Sequence, residues 1–192
     1  MITLREAKLP DDAQQIIGID TSFTTDAIYT ACRDGDRMGL RLAALETPIT
    51  KRFPLYDLDK RDRPWEFAAV ALVDDRICGF VAAGYQAWNR RATIWHLYVD
   101  RSERRQGIAR LLVDRAHRYG TARGALHLWL ETSSLNLPGV RAYRRLGFEL
   151  CGLDTTLYDG TPASGETALF FARPMTTPVG TATNNTSLTV LP

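Results

Sequence analysis

Three apolar runs separated by short polar breaks constrain the fold more than any other feature of this sequence. The runs cover residues 67–73, 77–85 and 92–99, and the breaks at 74–76 and 89–91 carry Asp, Asn and Arg. Apolar and β-branched runs of this length, bounded by turn residues, are typical of strands. They predict three consecutive antiparallel strands.

The region before these strands is less regular. Asp34-Gly35 between two extended runs is a hairpin signal. The prolines of the polar stretch after it predict an irregular excursion that covers part of a site. The predicted elements are a strand at 2–5, a helix from Asp11, hairpin strands at 29–32 and 40–45, and the irregular stretch 48–64.

The region after the three strands alternates between helical and extended patterns. Apolar residues recur at helical spacing after Gly107, and Pro138 opens a second helix that Gly147 closes. The predicted elements are a helix at 107–119, a strand at 126–131, a helix from Pro138 to Gly147, and strands at 148–158 and 167–173. Together they predict an α/β (α+β) chain with a mixed, mostly antiparallel central sheet flanked by helices.

Composition fits one domain at residues 1–174, followed at 175–192 by a Thr-, Asn-, Pro- and Ser-rich stretch that we predict to be a disordered C-terminal tail. With 24 basic and 22 acidic residues, no general field favours a nucleic-acid partner. The three cysteines lack the spacing of a metal site or a disulfide framework, and Cys78 and Cys151 are expected to be buried thiols. No stretch resembles a signal peptide or membrane span, so we expect a cytoplasmic protein with no membrane partner.

The segment at 104–109, Arg-Arg-Gln-Gly-Ile-Ala, lies between a predicted strand and a predicted helix. The first amides of a helix have no partner within the helix and carry the positive end of its dipole, so they bind anions. Gly107 and Ala109 leave room for a diphosphate, and Arg104 and Arg105 add charge-assisted bonds. This segment has neither the Gly-Lys-Ser or Gly-Lys-Thr ending of a P-loop nor the G-x-G-x-x-G pattern of a dinucleotide-binding loop. Taken alone, the segment indicates either an anion site or a solvated helix start.

The pattern R-x-x-G-x-A at 104–109, after the strand that ends at Val99, resembles the central motif of the GNAT superfamily of N-acetyltransferases. Asn136, Tyr143 and Gly147-Phe148 resemble the downstream pattern of the same superfamily. The resemblance implies a GNAT-like acyltransferase fold over residues 2–174. It also implies acetyl-CoA as the cosubstrate, with no metal.

The resemblance further implies roles for the matched residues. One backbone N–H of the strand that pairs with the pantetheine arm would polarise the thioester carbonyl. Tyr143 would protonate the departing thiolate, because a phenol with a pKa of about 10 stays protonated at neutral pH. The expected coenzyme contacts are Leu97, Tyr98, Val99, Arg104, Arg105, Gln106, Gly107, Ile108, Ala109, Asn136 and Tyr143.

A narrower resemblance concerns the acceptor. Trp88-Asn89-Arg90, Glu131-Thr132 and residues 152–158 are similar to stretches of streptothricin acetyltransferases, which acetylate a β-lysine amine of an antibiotic. The resemblance implies a small-molecule amine substrate and an acceptor site that includes Trp88, Glu131, Asp154 and Tyr158.

The attacking amine must first lose a proton. Glu131, at a strand end, is the first candidate base, and His96, which alternates with Trp95 and Leu97, is the second, acting through a water. A packed core histidine is the alternative for His96.

Other functions stay open at this point. A polyamine, an aminoglycoside or a protein N-terminus is an alternative acceptor, and a degenerate family member would bind acetyl-CoA without catalysis. The presence of Tyr143 and of the intact segment at 104–109 argues against that non-catalytic module. The sequence does not distinguish a monomer from a homodimer.

Overall fold

The computed structural model describes residues 1–55 and 57–175, which form a sheet of seven strands, a separate two-stranded ribbon and three α-helices. None of the described helices is long and apolar enough to cross a membrane. The strands are β1 Ile2–Glu6, β2 Phe23–Asp34, β3 Arg37–Lys51, β4 Phe67–Val73, β5 Arg76–Gln86, β6 Arg91–Val99, β7 His127–Ser133, β8 Glu149–Asp154 and β9 Ala168–Pro174. The helices are α1 Ala13–Ile17, α2 Ile108–Ala122 and α3 Leu137–Arg145.

The strand order in the large sheet is β1-β4-β5-β6-β7-β9-β8. The pair β6–β7 is parallel, and the other neighbouring pairs are antiparallel. The parallel pair needs a crossover, which α2 supplies. The predicted mixed, mostly antiparallel sheet flanked by helices is confirmed.

The parallel pair opens part-way along its length. The β6–β7 ladder runs from Arg91 with His127 to Ile94 with Leu130, although both strands continue beyond it. On its other edge β6 has a bulge at Trp95, where the register with β5 shifts. Because a bulge bends its strand, the C-terminal halves of β6 and β7 diverge. This divergence opens a cleft in the middle of the sheet.

The two faces of the sheet carry separate parts of the core. One face packs against α2 and α3, with Leu112, Leu128 and Phe171 fully buried. The other face packs against α1 and the segment 57–65 in a smaller cluster that includes Phe80 and Trp65. Both faces of the sheet that contains the cleft are therefore covered by packed elements.

The segment between β3 and β4 lies close against the sheet. A Cβ on Gly84 would lie 2.2 Å from the carbonyl oxygen of Pro64, so this approach requires glycine. The predicted irregular excursion at 48–64 is correct only after Lys51, because β3 continues to that residue.

The other differences from the sequence prediction have local causes. The predicted strand 148–158 ends at Asp154, whose carboxylate accepts two backbone N–H groups and begins a turn. Cys78 is buried as expected, whereas Cys151 is exposed because the β8–β9 register shifts around it. Met175 is 8% exposed and its N–H donates to Leu126. The prediction of a disordered tail otherwise lies outside the described residues.

Candidate active site

The loop before α2 presents backbone amides toward open space. Gly107 caps the helix at φ +84°, a conformation that favours glycine, and a Cβ there would have no atom within 4 Å. The first helical hydrogen bond runs from the N–H of Leu111 to the carbonyl of Gly107 at 3.2 Å. The amides of residues 108–110 come before that bond and face the helix end. This geometry fits a diphosphate.

Arg104 donates hydrogen bonds to two backbone carbonyls. Its Nε donates to the carbonyl of Val99 at 3.0 Å, and its Nη2 donates to the carbonyl of Asp20 at 3.1 Å. Burial lowers the pKa of this guanidinium. The side chain therefore fastens the loop to the end of β6, and the contact between its guanidinium and the diphosphate stays a prediction.

The other polar side chains of the loop are exposed. Arg105 stands at φ +69°, and the Nε2 of Gln106 donates to Glu103 at 2.9 Å. Ile108 is buried in the core, so only its backbone is available to a ligand. Arg105 is therefore the arginine of this segment best placed to contact an anion.

The predicted pantetheine strand lies along the cleft. Leu97 and Val99 pair with β5 on one edge, opposite Val81 and Gly79. The other edge faces β7 beyond the last β6–β7 pair. A coenzyme arm can extend the sheet at this edge by backbone hydrogen bonds.

Tyr143 lies on α3 beside the cleft, with Phe148 and Phe171 against its ring. Burial raises the pKa of its phenol to about 12, and the charge of Glu131 adds to this, while Thr132 acts in the opposite direction. The phenol therefore stays protonated at neutral pH and can donate to the departing sulfur. Its predicted role as the proton donor to the thiolate stays a prediction.

Asn136 holds the start of α3. Its Oδ1 accepts the N–H of Gly139 at 3.0 Å, and its Nδ2 donates to Oγ1 of Thr132 at 3.0 Å. A Cβ on Gly139 would lie 2.3 Å from that Nδ2, so a larger residue there would displace the side chain of Asn136. Both Asn136 and Thr132 act on the phenol of Tyr143. Asn136 therefore links the start of α3 to Tyr143, and its implied contact with the coenzyme stays a prediction.

Glu131 and Tyr158 meet at the end of β7. The hydroxyl of Tyr158 donates to Oε1 of Glu131. Burial is the main reason why the pKa of Glu131 is raised; the hydrogen bond from Tyr158 and the charge of Lys51 oppose this, and the charge of Glu166 supports it. Burial, followed by the bond to Glu131, also raises the pKa of Tyr158. A carboxylate of raised basicity beside a phenol is a suitable receptor for an alkylammonium group.

A second carboxylate, that of Glu166, lies next to this pair, and the sequence analysis did not identify it. Lys51 at the end of β3 and the hydroxyl of Ser133 both bind Glu166, and the ring centroid of Phe53 lies 5.5 Å from Nζ of Lys51. Lys51 and Glu166 are separated by 115 positions in the sequence. No local pattern could have signalled their contact.

His96 is packed into the smaller core cluster. Its Nε2 lies 2.8 and 2.9 Å from the two carboxylate oxygens of Asp57, which also accepts the indole N–H of Trp65 at 2.9 Å. These bonds outweigh burial and hold the pKa of Asp57 below its usual range. The Nδ1 of His96 is buried, with no hydrogen-bond partner among the described residues. The contacts correspond to the packed-histidine alternative.

The remaining two predicted acceptor residues differ in position. Oδ1 of Asp154 accepts the N–H of Thr156 at 2.7 Å and that of Leu157 at 3.1 Å, which shapes the turn that brings Tyr158 to Glu131. Trp88 is 86% exposed in the β5–β6 turn.

That turn lies at the far end of the sheet from the cleft. Arg90 of the turn bonds the carbonyl of Gly124, beyond the C-terminal end of α2. The structure does not bring Trp88 to Glu131.

Comparison with known proteins identifies the family. The sequence model of the Acetyltransferase (GNAT) family matches residues 31–148. The chain belongs to the GNAT acetyltransferase family. Among GNAT relatives, a streptothricin acetyltransferase of Streptomyces lavendulae is 40% identical, over 86% of this chain and 91% of its own length.

Solved GNAT structures agree with the sequence comparison. The crystal structure of nourseothricin acetyltransferase matches with a TM-score of 0.82 and 41% identity, over 91% of this chain and 99% of that chain. A Bacillus anthracis protein solved with acetyl coenzyme A shares the fold at a TM-score of 0.76 and 23% identity, over 91% of this chain and 98% of its own. The predicted enzyme class is confirmed: this GNAT protein is an acetyl-CoA-dependent N-acetyltransferase.

Proposed function

We propose that this GNAT enzyme acetylates streptothricin on the amine of its β-lysine part, and thereby confers resistance to that antibiotic. The observation that carries the proposal is the 40% identity to a streptothricin acetyltransferase over nearly the whole of both chains. The Glu131–Tyr158 pair supports it, because a carboxylate can bind a primary ammonium group by charge-assisted hydrogen bonds. We place the enzyme in the cytoplasm, where its exposed Cys32 and Cys151 would stay reduced.

On the coenzyme side, the chain supplies mainly backbone groups. The amides at the start of α2 bind the diphosphate, with Arg105 adding charge from the loop. The edge of β6 from Leu97 to Val99 binds the pantetheine arm and directs an N–H at the thioester oxygen, where negative charge develops during attack. Arg104 keeps the loop and the strand end in register.

On the acceptor side, Glu131 and Tyr158 hold the ammonium group. Glu131 then takes a proton from it, since burial has raised the pKa of this carboxyl. The neutral nitrogen attacks the thioester carbon, the carbon–sulfur bond breaks, and the coenzyme leaves as a thiolate. The nitrogen loses its surplus proton to solvent as the amide forms. Tyr143 donates a hydrogen bond to the departing sulfur.

The test is an acetyl-transfer assay with purified enzyme, acetyl-CoA and four acceptors: streptothricin, a polyamine, an aminoglycoside and a peptide with a free N-terminus. Thiol release gives the rate, and mass spectrometry of the product locates the modified nitrogen. We expect streptothricin to have the highest kcat/KM, with the acetyl group on the β-lysine part. Preference for another acceptor, or calorimetric binding of acetyl-CoA without turnover of any amine, would refute the proposal.

A further inference from the structure

A lysine of the enzyme, Lys51, lies near the proposed acceptor site. Lys51 Nζ binds the carboxylate of Glu166 beside the ring of Phe53, and the two charged side chains are 23% and 13% exposed. A carboxylate with an aromatic ring nearby is also the arrangement that recognises an alkylammonium ligand. A side chain of the enzyme therefore occupies a position that suits a substrate ammonium group.

This internal cation lies within electrostatic range of the proposed acceptor carboxylate. Ser133 joins Glu166 to β7, two residues beyond Glu131 and on the same side of the strand. The charges of Lys51 and Glu166 act on Glu131 in opposite directions. With both carboxylates ionised, the three groups carry a net charge of −1 in place of −2.

We propose that Lys51 is a built-in counter-cation that sets the net charge of the acceptor site and so limits its affinity for cationic amines. The inference rests on the proposed function, because it needs Glu131 to bind the acceptor. A purely structural ion pair makes the opposite prediction, since the loss of either partner would then weaken the site. The sign of the effect at Lys51 decides between the two.

The experiment measures KM and kcat for streptothricin in the wild type and four variants: K51M, K51R, E166Q and K51M/E166Q. The net charge of positions 51, 131 and 166 together is −1 in the wild type. It is −2 in K51M, −1 in K51R, 0 in E166Q and −1 in K51M/E166Q. We expect KM to fall about three- to tenfold in K51M and to rise by a similar factor in E166Q, since one unit charge changes in a partly exposed site. K51R and K51M/E166Q should stay near the wild type, and the differences should shrink in high salt.

Thermal melts control for folding. Loss of one partner from a partly buried pair is destabilising, and if K51M does not fold, the comparison passes to E166Q against K51M/E166Q. The double variant must then have the lower KM. A KM that rises in K51M, or that is the same in E166Q and the double variant, overturns the inference. Absence of streptothricin turnover in the wild type would instead refute the proposed function.

Discussion

Replacement of Tyr143 by Phe tests the proposed hydrogen bond to the leaving sulfur. The substitution removes a hydroxyl whose pKa is raised to about 12, and leaves the ring in place against Phe148 and Phe171. A hydrogen bond to a charged group contributes about 1.5–3 kcal/mol. At about 1.4 kcal/mol per factor of ten, kcat should fall about 10- to 150-fold.

The assay is steady-state thiol release with streptothricin, together with calorimetry of acetyl-CoA binding. We expect the dissociation constant of acetyl-CoA to stay within about twofold, because the loop at 104–109 is untouched. Tyr119→Phe is the matched control: it removes another phenol of raised pKa, which bonds Glu66 away from the cleft. Its kcat should equal that of the wild type.

The pH profile tests the raised pKa of Tyr143. A phenol with a pKa of about 12 keeps its proton up to about pH 11, so no basic limb of kcat below that pH should depend on Tyr143. A wild-type kcat in Tyr143→Phe would exclude the hydroxyl from the reaction. Loss of a basic limb near pH 8–9 in this variant would show that the hydroxyl loses its proton in that range, and would contradict the raised pKa.

Three further substitutions test the remaining parts of the site. Gly139→Ala should lower kcat several-fold, because the new Cβ displaces the side chain of Asn136. The melting temperature should barely change, because a helix-propensity gain of about 1 kcal/mol offsets a lost cap of about 1 kcal/mol. An unchanged kcat would show that the cap does not position Tyr143. Gly107→Ala should weaken acetyl-CoA binding about tenfold in calorimetry, because φ +84° costs an L-residue about 1–2 kcal/mol, and full affinity would remove this loop from the coenzyme site. Glu131→Gln should raise the KM for streptothricin. The pKa of Glu131 is raised in the folded state, so the wild type loses stability as the pH rises above 4.5 through the folded value. Glutamine cannot ionise, so the variant should be more thermally stable than the wild type at pH 7 and equally stable at pH 4. A melting temperature below that of the wild type at pH 7 would contradict the raised pKa.

Local pattern was sufficient for most of the sheet and for the loop at 104–109. The apolar runs at 67–73, 77–85 and 92–99 correspond closely to β4, β5 and β6, because strand length and turn residues are encoded in neighbouring positions. The segment at 104–109 was also recognisable. Its glycine and the helix that follows lie within a few residues of each other, so their geometry follows from the local sequence.

The acceptor site depends on contacts that no local pattern encodes. Lys51 and Glu166 come together only because β3 and the turn before β9 both pack near the end of β7. The predicted strand at 148–158 failed for a related reason: Asp154 bonds the backbone after it, and an apolar pattern does not report that competition.

The sequence by itself determined the family, the loop at 104–109 and the strands next to it, since these depend on residues close together in the chain. Tertiary structure decided which charged groups surround Glu131, that Arg104 fastens a loop and that His96 is packed. Side-chain charge and basicity depend on distance and burial, and both quantities are set only when segments distant in sequence come into contact.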